Sequence, residues 1–234
     1  LAGTALATLI LVSPVMGQTA PQAQVADAGE MLEEIIVFGR GEARQVQGIS
    51  QAAIALEAPG TSPLKAIDKL PGVSFQSADA FGAYEWSARI SIRGFNQNQL
   101  GFTLDGVPLG DMSYGNHNGL HISRAISSEN IGTVTVAQGA GSLATPSTSN
   151  LGGTLEFTSL DPASEFAAHV DGSVGSDSAQ RAFVRVDSGE FGGAGTRLFL
   201  SYVDQTTDKW KGDGEQQQEA LNFKIVQPMY RFDS

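Results

Sequence analysis

The sequence predicts a small α+β domain followed by a series of longer antiparallel β-strands. Between residues 60 and 160, short strands of alternating polarity mix with one or two short helices, which is the pattern of a compact α+β domain. After Asp161-Pro162 the strands lengthen to about ten residues, and their two faces differ in polarity. Such strands build outer-membrane barrels, and a soluble β-sandwich is the alternative that the strands alone leave open.

The composition excludes several classes of function. Among the 234 residues there is no cysteine, which excludes disulfide frameworks, cysteine metal sites and thiol nucleophiles. The formal net charge is -11, and no cluster of Lys and Arg is present to neutralise phosphates. We therefore expect no nucleic-acid partner.

The N-terminal segment has the pattern of an export signal. Residues 1–16 are apolar and uncharged, but they are fewer than the roughly 20 residues that cross a bilayer as a helix. The small residues around Gly17 suit an export peptidase, whereas a buried helix, the alternative, lacks an amphipathic pattern. We interpret residues 1–17 as the remnant of a signal peptide and residues 18–57 as a polar linker.

A short apolar segment, Glu-Glu-Ile-Ile-Val-Phe-Gly, interrupts this linker at residues 33–39. Ile35, Ile36 and Val37 favour extended backbone, and an extended segment can add as a strand to the open sheet edge of a partner. An ordinary edge strand of the following domain is the alternative. Because polar sequence flanks the segment on both sides, we expect it to stay unpaired until its partner arrives.

One short amphipathic helix is predicted at residues 62–70. Ser62 is a capping residue and Pro63 takes the first helical position, while leucine and isoleucine follow at helical spacing. Pro71 and Gly72 then end the helix. Strands are predicted at residues 88–95, 100–111, 131–136 and 152–159.

Six residues of this domain are predicted to shape its backbone rather than to bind a ligand. Glycine occurs where the chain turns or approaches another segment closely, and aspartate before glycine is a common turn former. The residues are Arg93, Gly94, Asp105, Gly106, Gly152 and Gly153.

Four longer strands are predicted at residues 166–176, 181–189, 196–206 and 220–230. In the third, Leu198, Leu200 and Tyr202 share one face, and the intervening residues share the other. The first two connections are short, whereas residues 206–218 read as a long polar loop. Unequal loops between alternating strands are typical of outer-membrane barrels.

Three sequence elements resemble the plug domain of TonB-dependent outer-membrane receptors. They are KLPGVSF at 69–75, SIRGFNQNQLGFTLDGVPLGD at 91–111 and NLGGTLEFTS at 150–159. The resemblance implies an α+β plug domain at 58–160, followed at 161–234 by the first antiparallel strands of a transmembrane β-barrel. Because that family has a barrel of about 22 strands, we expect the chain to be the N-terminal part of such a receptor.

The resemblance also implies a function and its partners. Residues 33–39 resemble the TonB box, so that Glu33, Glu34, Ile35, Ile36, Val37, Phe38 and Gly39 are expected to bind TonB, which acts with an inner-membrane energising complex. The protein is then expected in the outer membrane of a Gram-negative bacterium, in contact with its lipid, where it takes up a scarce solute actively. A passive β-barrel adhesin or porin with an N-terminal plug is the alternative, and it has no use for a TonB box.

Two positions depart from the family pattern. The family commonly has arginine where this chain has Asn130 and Gln138, and it uses such arginines, with the one matching Arg93, to pair with carboxylates of the barrel wall. Because a buried charge requires a partner, we expect the wall carboxylates to differ as well. The sequence therefore does not specify which contacts hold the plug domain in the barrel, whereas the fold of the plug domain is expected to be that of the family.

Substrate contacts are expected at the apices of the plug, by analogy with the family, at residues 76–87, 96–99 and 113–119. Aromatic and amide side chains dominate there and Lys and Arg are absent, which favours a glycan or another neutral solute over an anionic ferric siderophore. Asp79, Glu85 and Asp111 are expected to repel an anion. The candidates are Tyr84, Trp86, Asn96, Asn98, Tyr114, Asn116 and His117.

No catalytic arrangement is evident, and we expect neither an enzyme nor a cofactor. His117 and His121 are four residues apart, but they lie in a Gly- and Asn-rich loop where no helix presents them together. We therefore predict no metal site.

Overall fold

The computed structural model describes residues 36–37, 46–79, 81–113, 118–139, 145–147, 149–209 and 211–228. The predicted signal remnant at 1–17 and most of the linker lie outside them. Within this part of the chain, no helix has the length and hydropathy needed to cross a membrane.

Secondary structure in the described residues is mostly β. The strands are β1 (Ile36–Val37), β2 (Val46–Ser50), β3 (Val73–Gln76), β4 (Arg89–Ile92), β5 (Phe95–Asn96), β6 (Leu100–Leu104), β7 (Val107–Pro108), β8 (Gly110–Ser113), β9 (Asn118–Gly119), β10 (Ile131–Gln138), β11 (Gly153–Ser159), β12 (Phe166–Val174), β13 (Gln180–Ser188), β14 (Arg197–Asp208) and β15 (Glu215–Val226). The helices are α1 (Gln51–Ile54), α2 (Pro63–Ala66) and α3 (Ile122–Ala125), with 3-10 turns at Ile67–Lys69, Gln97–Gln99 and Ser128–Asn130.

A six-stranded sheet organises the N-terminal domain, which we define as the described residues from 36 to 160. Its strand order is β1-β2-β10-β11-β6-β7. β6 pairs parallel with β11, and the other pairs are antiparallel. The core beside this sheet includes the fully buried Leu64, Phe102, Ile122, Val134 and Leu155. The helices and the small sheets are therefore fixed to the sheet by apolar burial.

The predicted helix is present but shorter than the sequence indicates. Ser62 caps α2 by accepting a hydrogen bond from the backbone N–H of Leu64 at 3.3 Å, and Pro63 is the first helical residue. The turn then tightens into a 3-10 turn from Ile67 to Lys69 before Pro71. The local start and stop signals thus act as expected.

Strands β12 to β15 form a separate antiparallel sheet, which we call the wall sheet, in the order of the sequence. One face is apolar and exposed, and the other packs against the N-terminal domain. The exposed face carries Phe166, Val170, Val174, Val184, Val186, Leu200, Tyr202, Leu221, Phe223 and Ile225. The inner face buries Phe183, Phe199 and Val203 beside the polar Arg181, Arg185 and Ser201. This alternation is that of a membrane barrel strand, whose outer side meets lipid.

Two expectations about the linker are corrected. β2 falls within the linker predicted at residues 18–57, but it lies between β1 and β10 in the sheet, so the boundary at 57/58 falls inside the folded domain. Ile36 and Val37 are also not unpaired, because β1 pairs antiparallel with β2 opposite Gly48 and Gln47. The edge of β2 offers main-chain hydrogen-bond partners to β1. The polar sequence on both sides of residues 33–39 gives no sign of this pairing.

The connection between β14 and β15 is also shorter than expected. Most of residues 206–218 is strand, because β14 continues to Asp208 and β15 begins at Glu215. Thr206, Thr207 and Asp208 pair in register with Gln217, Gln216 and Glu215. The polar residues that suggested a loop thus extend this hairpin at one end of the wall sheet.

Candidate functional site

A cavity of about 380 Å³ lies between the N-terminal domain and the last hairpin of the wall sheet. Asp79, residues 81–86 and Arg124 form one side, and β14 and β15 form the other. The lining residues are Asp79, Phe81, Ala83, Tyr84, Glu85, Trp86, Arg124, Gln205, Thr207, Gln216, Gln217, Gln218, Glu219 and Ala220. Its size is that of a small-molecule site. We call it the outer chamber.

Two of the predicted ligand residues, Tyr84 and Trp86, meet in the outer chamber. Their ring centroids are 6.5 Å apart with an interplanar angle of 23°. The Trp86 side chain is 50% exposed and is therefore accessible. Nearly parallel aromatic rings offer flat apolar surfaces to a ligand.

The segment that carries these rings is held by the carboxylate of Asp79. Asp79 accepts hydrogen bonds from the backbone N–H of Ala83 at 2.9 Å and of Tyr84 at 3.3 Å. The hydroxyl of Ser77 also bonds to this carboxylate. Asp79 thus orders the segment and is engaged internally, which differs from its expected role of repelling an anionic ligand.

Arg124 is a cation that lies in the outer chamber although no sequence pattern places it there. It lies on α3, outside the three predicted apices, and its Nη1 lies 3.0 Å from Oε1 of Glu85. The Glu85 side chain is 10% exposed, whereas that of Arg124 is 57% exposed. Glu85 is therefore neutralised, and the guanidinium retains accessible donors. The three predicted apices contain no Arg or Lys, but α3 places Arg124 beside one of them in the outer chamber.

Amide side chains dominate the wall of the outer chamber. Gln205 and Gln218 face each other across β14 and β15 in register, and Gln216 follows on the same face of β15 as Gln218. Gln218 Nε2 donates to the backbone carbonyl of Ser123 at 2.7 Å and joins the wall sheet to α3. Uncharged amides of this kind can both donate to and accept from a polar ligand.

The other predicted ligand residues do not meet in this cavity. Asn96 takes part in a capping box with Gln99 at the start of a 3-10 turn, and its backbone N–H donates to Gln99 Oε1 at 3.0 Å. Asn98 is exposed and does not line the outer chamber. Tyr114, Asn116 and His117 lie outside the described residues. Asp111 is buried at 5% exposure, so it does not face this cavity.

His121 is buried at the N-terminus of α3 and not in a loop that could bind metal. Its Nδ1 accepts from the backbone N–H of Ser123 at 3.3 Å and lies 2.7 Å from the Ser123 hydroxyl. Ser123 Oγ donates in turn to the carbonyl of Ala83 at 2.8 Å. Burial, and then the charge of Arg89, lower the pKa of His121 to about 4, although Asp79 opposes this. His121 is therefore neutral at pH 7, and through Ser123 it connects α3 to Ala83, next to Tyr84.

We predict that His121 makes the stability of the N-terminal domain depend on pH. Because its pKa is about 4 in the folded chain against 6.5 for the free side chain, the unfolded chain binds more protons between these values. Its contribution is complete above pH 6.5 and is lost as the pH falls towards 4, by about 3 kcal/mol in total. Denaturant unfolding at pH 7 and pH 4.5 measures this. In His121→Asn, which keeps a capping oxygen, the difference between the two pH values should shrink, and an unchanged difference contradicts the assignment.

Polar side chains attach the N-terminal domain to the wall sheet at the 3-10 turn Ser128–Asn130. Arg181 Nη2 donates to Glu129 Oε2 at 2.9 Å. Asn130 is fully buried, donates to Ser201 Oγ at 2.7 Å and accepts from Arg185 Nη1 at 3.1 Å. Here the acidic and amide groups are on the N-terminal domain and the arginines are on the wall. The charge arrangement is thus the reverse of the one that the resemblance implies.

Gln138, the second position that departs from the family pattern, makes no such contact with the wall sheet in the described residues. Gln138 Nε2 donates to the carbonyl of Pro71 at 2.7 Å, within the N-terminal domain. Arg93 is exposed, and its backbone N–H donates to the carbonyl of Gly72 at 2.7 Å. Neither side chain reaches the wall strands in the part of the chain that the structure describes.

The residues expected to shape the backbone lie at tight turns and close contacts. Arg93 and Gly94 have φ of 50° and 84° in the turn between β4 and β5, and Asp105 and Gly106 have φ of 49° and 78° between β6 and β7. A Cβ added at Gly153 would lie 2.3 Å from the carbonyl oxygen of Ala137. One added at Gly152 would lie equally close to Cβ of Phe95. Gly152 and Gly153 therefore leave no room for a larger residue, whereas Gly94 and Gly106 are favoured by their positive φ.

A further contact joins the end of the N-terminal domain to β15. Asp105 accepts from the backbone N–H and the hydroxyl of Ser159, at 2.8 and 2.6 Å. Lys224 Nζ donates to Ser159 Oγ at 2.8 Å and lies 2.8 Å from Asp161. Among the described residues, no group of three or more His, Cys, Asp or Glu side chains could hold a metal ion.

Comparison with known proteins identifies the N-terminal domain. Residues 40–154 match the family model described as the TonB-dependent Receptor Plug Domain. A search of curated proteins finds no match.

Several solved receptors share the fold at low sequence identity. FpvA of Pseudomonas aeruginosa, in an iron complex with a heterologous pyoverdine, is 20% identical with a TM-score of 0.59 over 77% of this chain and 22% of its own. The siderophore receptor PirA of Pseudomonas aeruginosa is 18% identical, with a TM-score of 0.54 over 80% and 31%. The ferric yersiniabactin uptake receptor FyuA of Yersinia pestis is 16% identical, with a TM-score of 0.52 over 77% and 28%. The chain thus spans less than a third of the length of these receptors.

Proposed function

We propose that this chain, which belongs to the TonB-dependent outer-membrane receptors and carries their plug domain at residues 40–154, takes part in TonB-coupled uptake of a neutral, polyhydroxylated solute. The plug domain is the N-terminal domain described above, and the wall sheet corresponds to antiparallel strands of their barrel. The observation that carries the proposal is the packing of this domain against the polar inner face of strands whose other face is apolar. Such an arrangement closes a barrel embedded in lipid.

Energy coupling is assigned to residues 33–39. β1 is the outermost strand of the plug sheet, and within the described part of the chain it pairs with β2 through two residues, Ile36 and Val37. A pairing this short is weak, so a partner that offers a longer open edge can displace it. We propose TonB, with its inner-membrane energising complex, as that partner, acting from the periplasm on a protein of the Gram-negative outer membrane.

The lining of the outer chamber supports a glycan or another neutral solute as the ligand. Tyr84 and Trp86 present flat faces that match the C–H faces of sugar rings, and the glutamines of β14 and β15 match hydroxyl groups. Among the described residues of the lining, the one cation, Arg124, is paired with Glu85. The site is therefore better suited to hydrogen bonding than to binding a multiply charged anion.

A ferric siderophore is the second candidate ligand. The solved receptors with the same fold are named for pyoverdine, ferric yersiniabactin and siderophores. The exposed guanidinium of Arg124 also gives an anionic chelate one donor group. A shared fold at this low sequence identity does not imply a shared ligand. Binding measurements therefore have to distinguish a neutral solute from a ferric siderophore.

We predict that Trp86→Ala weakens ligand binding by about tenfold or more, because an accessible aromatic anchor is lost. The measurement is calorimetric binding of the complete receptor to a panel of neutral oligosaccharides and ferric chelates. Phe191→Ala, which removes an exposed aromatic ring in the turn between β13 and β14, is the matched control and should bind normally.

Binding to the panel of oligosaccharides and ferric chelates distinguishes the two ligand classes, and uptake by cells tests the coupling to TonB. Binding of an oligosaccharide that depends on Trp86 supports the proposal, whereas tight binding of an anionic chelate alone contradicts the ligand class. Accumulation of the bound solute should stop in cells that lack TonB, while binding at the cell surface persists. Accumulation without TonB contradicts the proposed uptake mechanism.

A further inference from the structure

A second cavity adjoins the outer chamber at Phe81. It has a volume of about 290 Å³, and we call it the side chamber. Asp79, Phe81, Thr207 and Gln216 line both cavities. Because the outer chamber is near the lower end of the roughly 300–1,000 Å³ that ligand sites occupy, the two cavities together can hold a longer ligand than either holds alone.

Open space lies next to Phe81 beyond these two chambers as well. Phe81 also lines a third cavity of about 220 Å³, which has a mainly apolar lining and borders a larger cavity of about 450 Å³ at Ala58 and Pro59. Phe81 is only partly buried. A ring that served to pack the plug domain against the wall sheet would be enclosed by neighbouring atoms, because protein interiors are close-packed. Phe81 is therefore accessible to a ligand.

The backbone of Phe81 is held in place by the plug domain. Its carbonyl accepts a hydrogen bond from the backbone N–H of Ser62, the cap of α2, at 2.7 Å. The next residue, Gly82, has a φ of 68°, and a Cβ there would lie 2.7 Å from a ring atom of Phe75. A ring on an ordered backbone loses little conformational freedom when a ligand binds against it.

A tight turn of the wall sheet forms the opposite border of the side chamber. Residues 175–179 connect β12 to β13, and both Asp177 and Ser178 have a φ of 55°. The backbone N–H of Asp208, at the end of β14, donates to the carbonyl of Asp177 at 2.8 Å. This hydrogen bond fixes the turn against β14, so that both borders of the side chamber are ordered.

The lining of the side chamber suits hydroxyl groups better than anions. Thr207 and Gln216 pair in register on the last hairpin of the wall sheet. Ser176 and Asp177 add a hydroxyl group and a carboxylate from the turn. Among the described residues of this lining there is no Lys or Arg. Hydroxyl, amide and carboxylate oxygens accept hydrogen bonds from sugar hydroxyl groups, whereas a carboxylate repels an anion.

We propose that the ligand is a neutral oligosaccharide that extends from the outer chamber past Phe81 into the side chamber. This inference rests on the proposed uptake function and deepens it, because it assigns a second part of the ligand site. One end of the saccharide lies on Tyr84 and Trp86, and the following units contact Phe81 and form hydrogen bonds with Thr207 and Gln216. A short saccharide fills only the outer chamber, so that the receptor favours longer chains.

The test measures affinity as a function of saccharide length. Maltodextrins, cellodextrins and xylo-oligosaccharides, each from the monosaccharide to the hexasaccharide, are titrated into the complete receptor in a calorimeter. We expect the affinity of the wild type to rise by about tenfold or more from the disaccharide to the tetrasaccharide of the series that it binds. Phe81→Ala should lose most of this rise, with an affinity for the disaccharide within about twofold of the wild type.

Phe191→Ala, which removes an exposed ring outside both chambers, is the matched control and should keep the dependence on length. Equal affinity of the wild type for the disaccharide and the tetrasaccharide overturns the proposal. It is overturned as well if Phe81→Ala weakens binding of all lengths equally, since the ring then belongs to the outer chamber alone.

A second variant fills the side chamber and leaves Phe81 unchanged. Ser176 is exposed in the turn and lines the side chamber but not the outer chamber. In Ser176→Trp the affinity for the tetrasaccharide should therefore fall to that for the disaccharide, which stays unchanged. Ser74→Trp, at an exposed position of β3 outside both linings, is the size-matched control.

The outcomes separate this inference from the proposed function. Unchanged binding of the tetrasaccharide by Ser176→Trp overturns the inference even if Phe81→Ala fails to fold. Saccharide binding that does not depend on length contradicts the inference alone, and the proposed uptake of a neutral solute stands. Binding of ferric chelates and of no saccharide contradicts the proposed ligand class and the inference together.

Discussion

Uptake by the complete receptor should fall by at least about a hundredfold in Ile36→Pro, while binding of the solute at the cell surface is retained. Strand addition obtains its affinity from main-chain hydrogen bonds, and proline removes a donor in the middle of the segment 33–39. The pairing of Ile36 with Gly48 of β2 is affected as well, so that β1 is released rather than held. Loss of uptake therefore reports failed capture by TonB and not a segment trapped on the plug domain.

Ile36→Val is the matched control for this experiment. Valine retains the backbone N–H and favours extended backbone as strongly as isoleucine, so that uptake should be close to that of the wild type. Uptake of a labelled solute and its binding to cells at low temperature separate transport from recognition. Undiminished uptake by Ile36→Pro would mean that the barrel conducts passively, as the adhesin or porin alternative requires.

Local chemistry explains which parts of the fold could be predicted from the sequence. Asp105-Gly106 and Arg93-Gly94 form turns with positive φ, and Ser62 caps α2, because each depends on a few neighbouring residues. The two faces of β14 follow from strict alternation, which puts Leu200 outside and Phe199 inside. Such signals are complete within a short window of sequence.

Long-range pairing explains much of what was missed. β2 lies in sequence that reads as a linker, and its strand character comes from β10, where Gly48 pairs with Thr135. No residue pattern near Gly48 announces that partner. The hairpin β14–β15 was underestimated for a related reason, because pairing in register lets polar residues such as Gln216 continue a strand.

The candidate site was predicted in part. Tyr84 and Trp86 line the outer chamber, as their position in an apical segment indicates. Arg124 enters from α3, and nothing in the sequence places α3 beside residues 81–86. The attachment to the wall has a signal in the sequence, because alternation puts Arg181 and Arg185 on one face of β13.

Arg185→Met should have the largest effect on the assembled protein. The guanidinium donates to Asp187 through Nε at 2.9 Å and Nη2 at 2.7 Å, and through Nη1 to Asn130 at 3.1 Å. It also lies 4.0 Å from the centroid of the Phe199 ring. Methionine leaves the buried Asp187 carboxylate without its counterion, which costs on the order of 3–5 kcal/mol. We expect the free energy of unfolding of the receptor to fall by about that amount, and the plug domain to become accessible to protease.

Two further variants separate charge from geometry at this attachment. Arg185→Lys keeps the positive charge but loses the planar fork that bonds Asp187 and Asn130 together, so its stability should lie between those of the wild type and Arg185→Met. Arg185→Met/Asp187→Asn removes both charges, and most of the lost stability should return because no buried charge remains unpaired. If the double variant is instead as unstable as Arg185→Met, the loss comes from the contacts with Asn130 and Phe199. The attachment of the plug domain would then depend on the shape of the arginine side chain rather than on its charge.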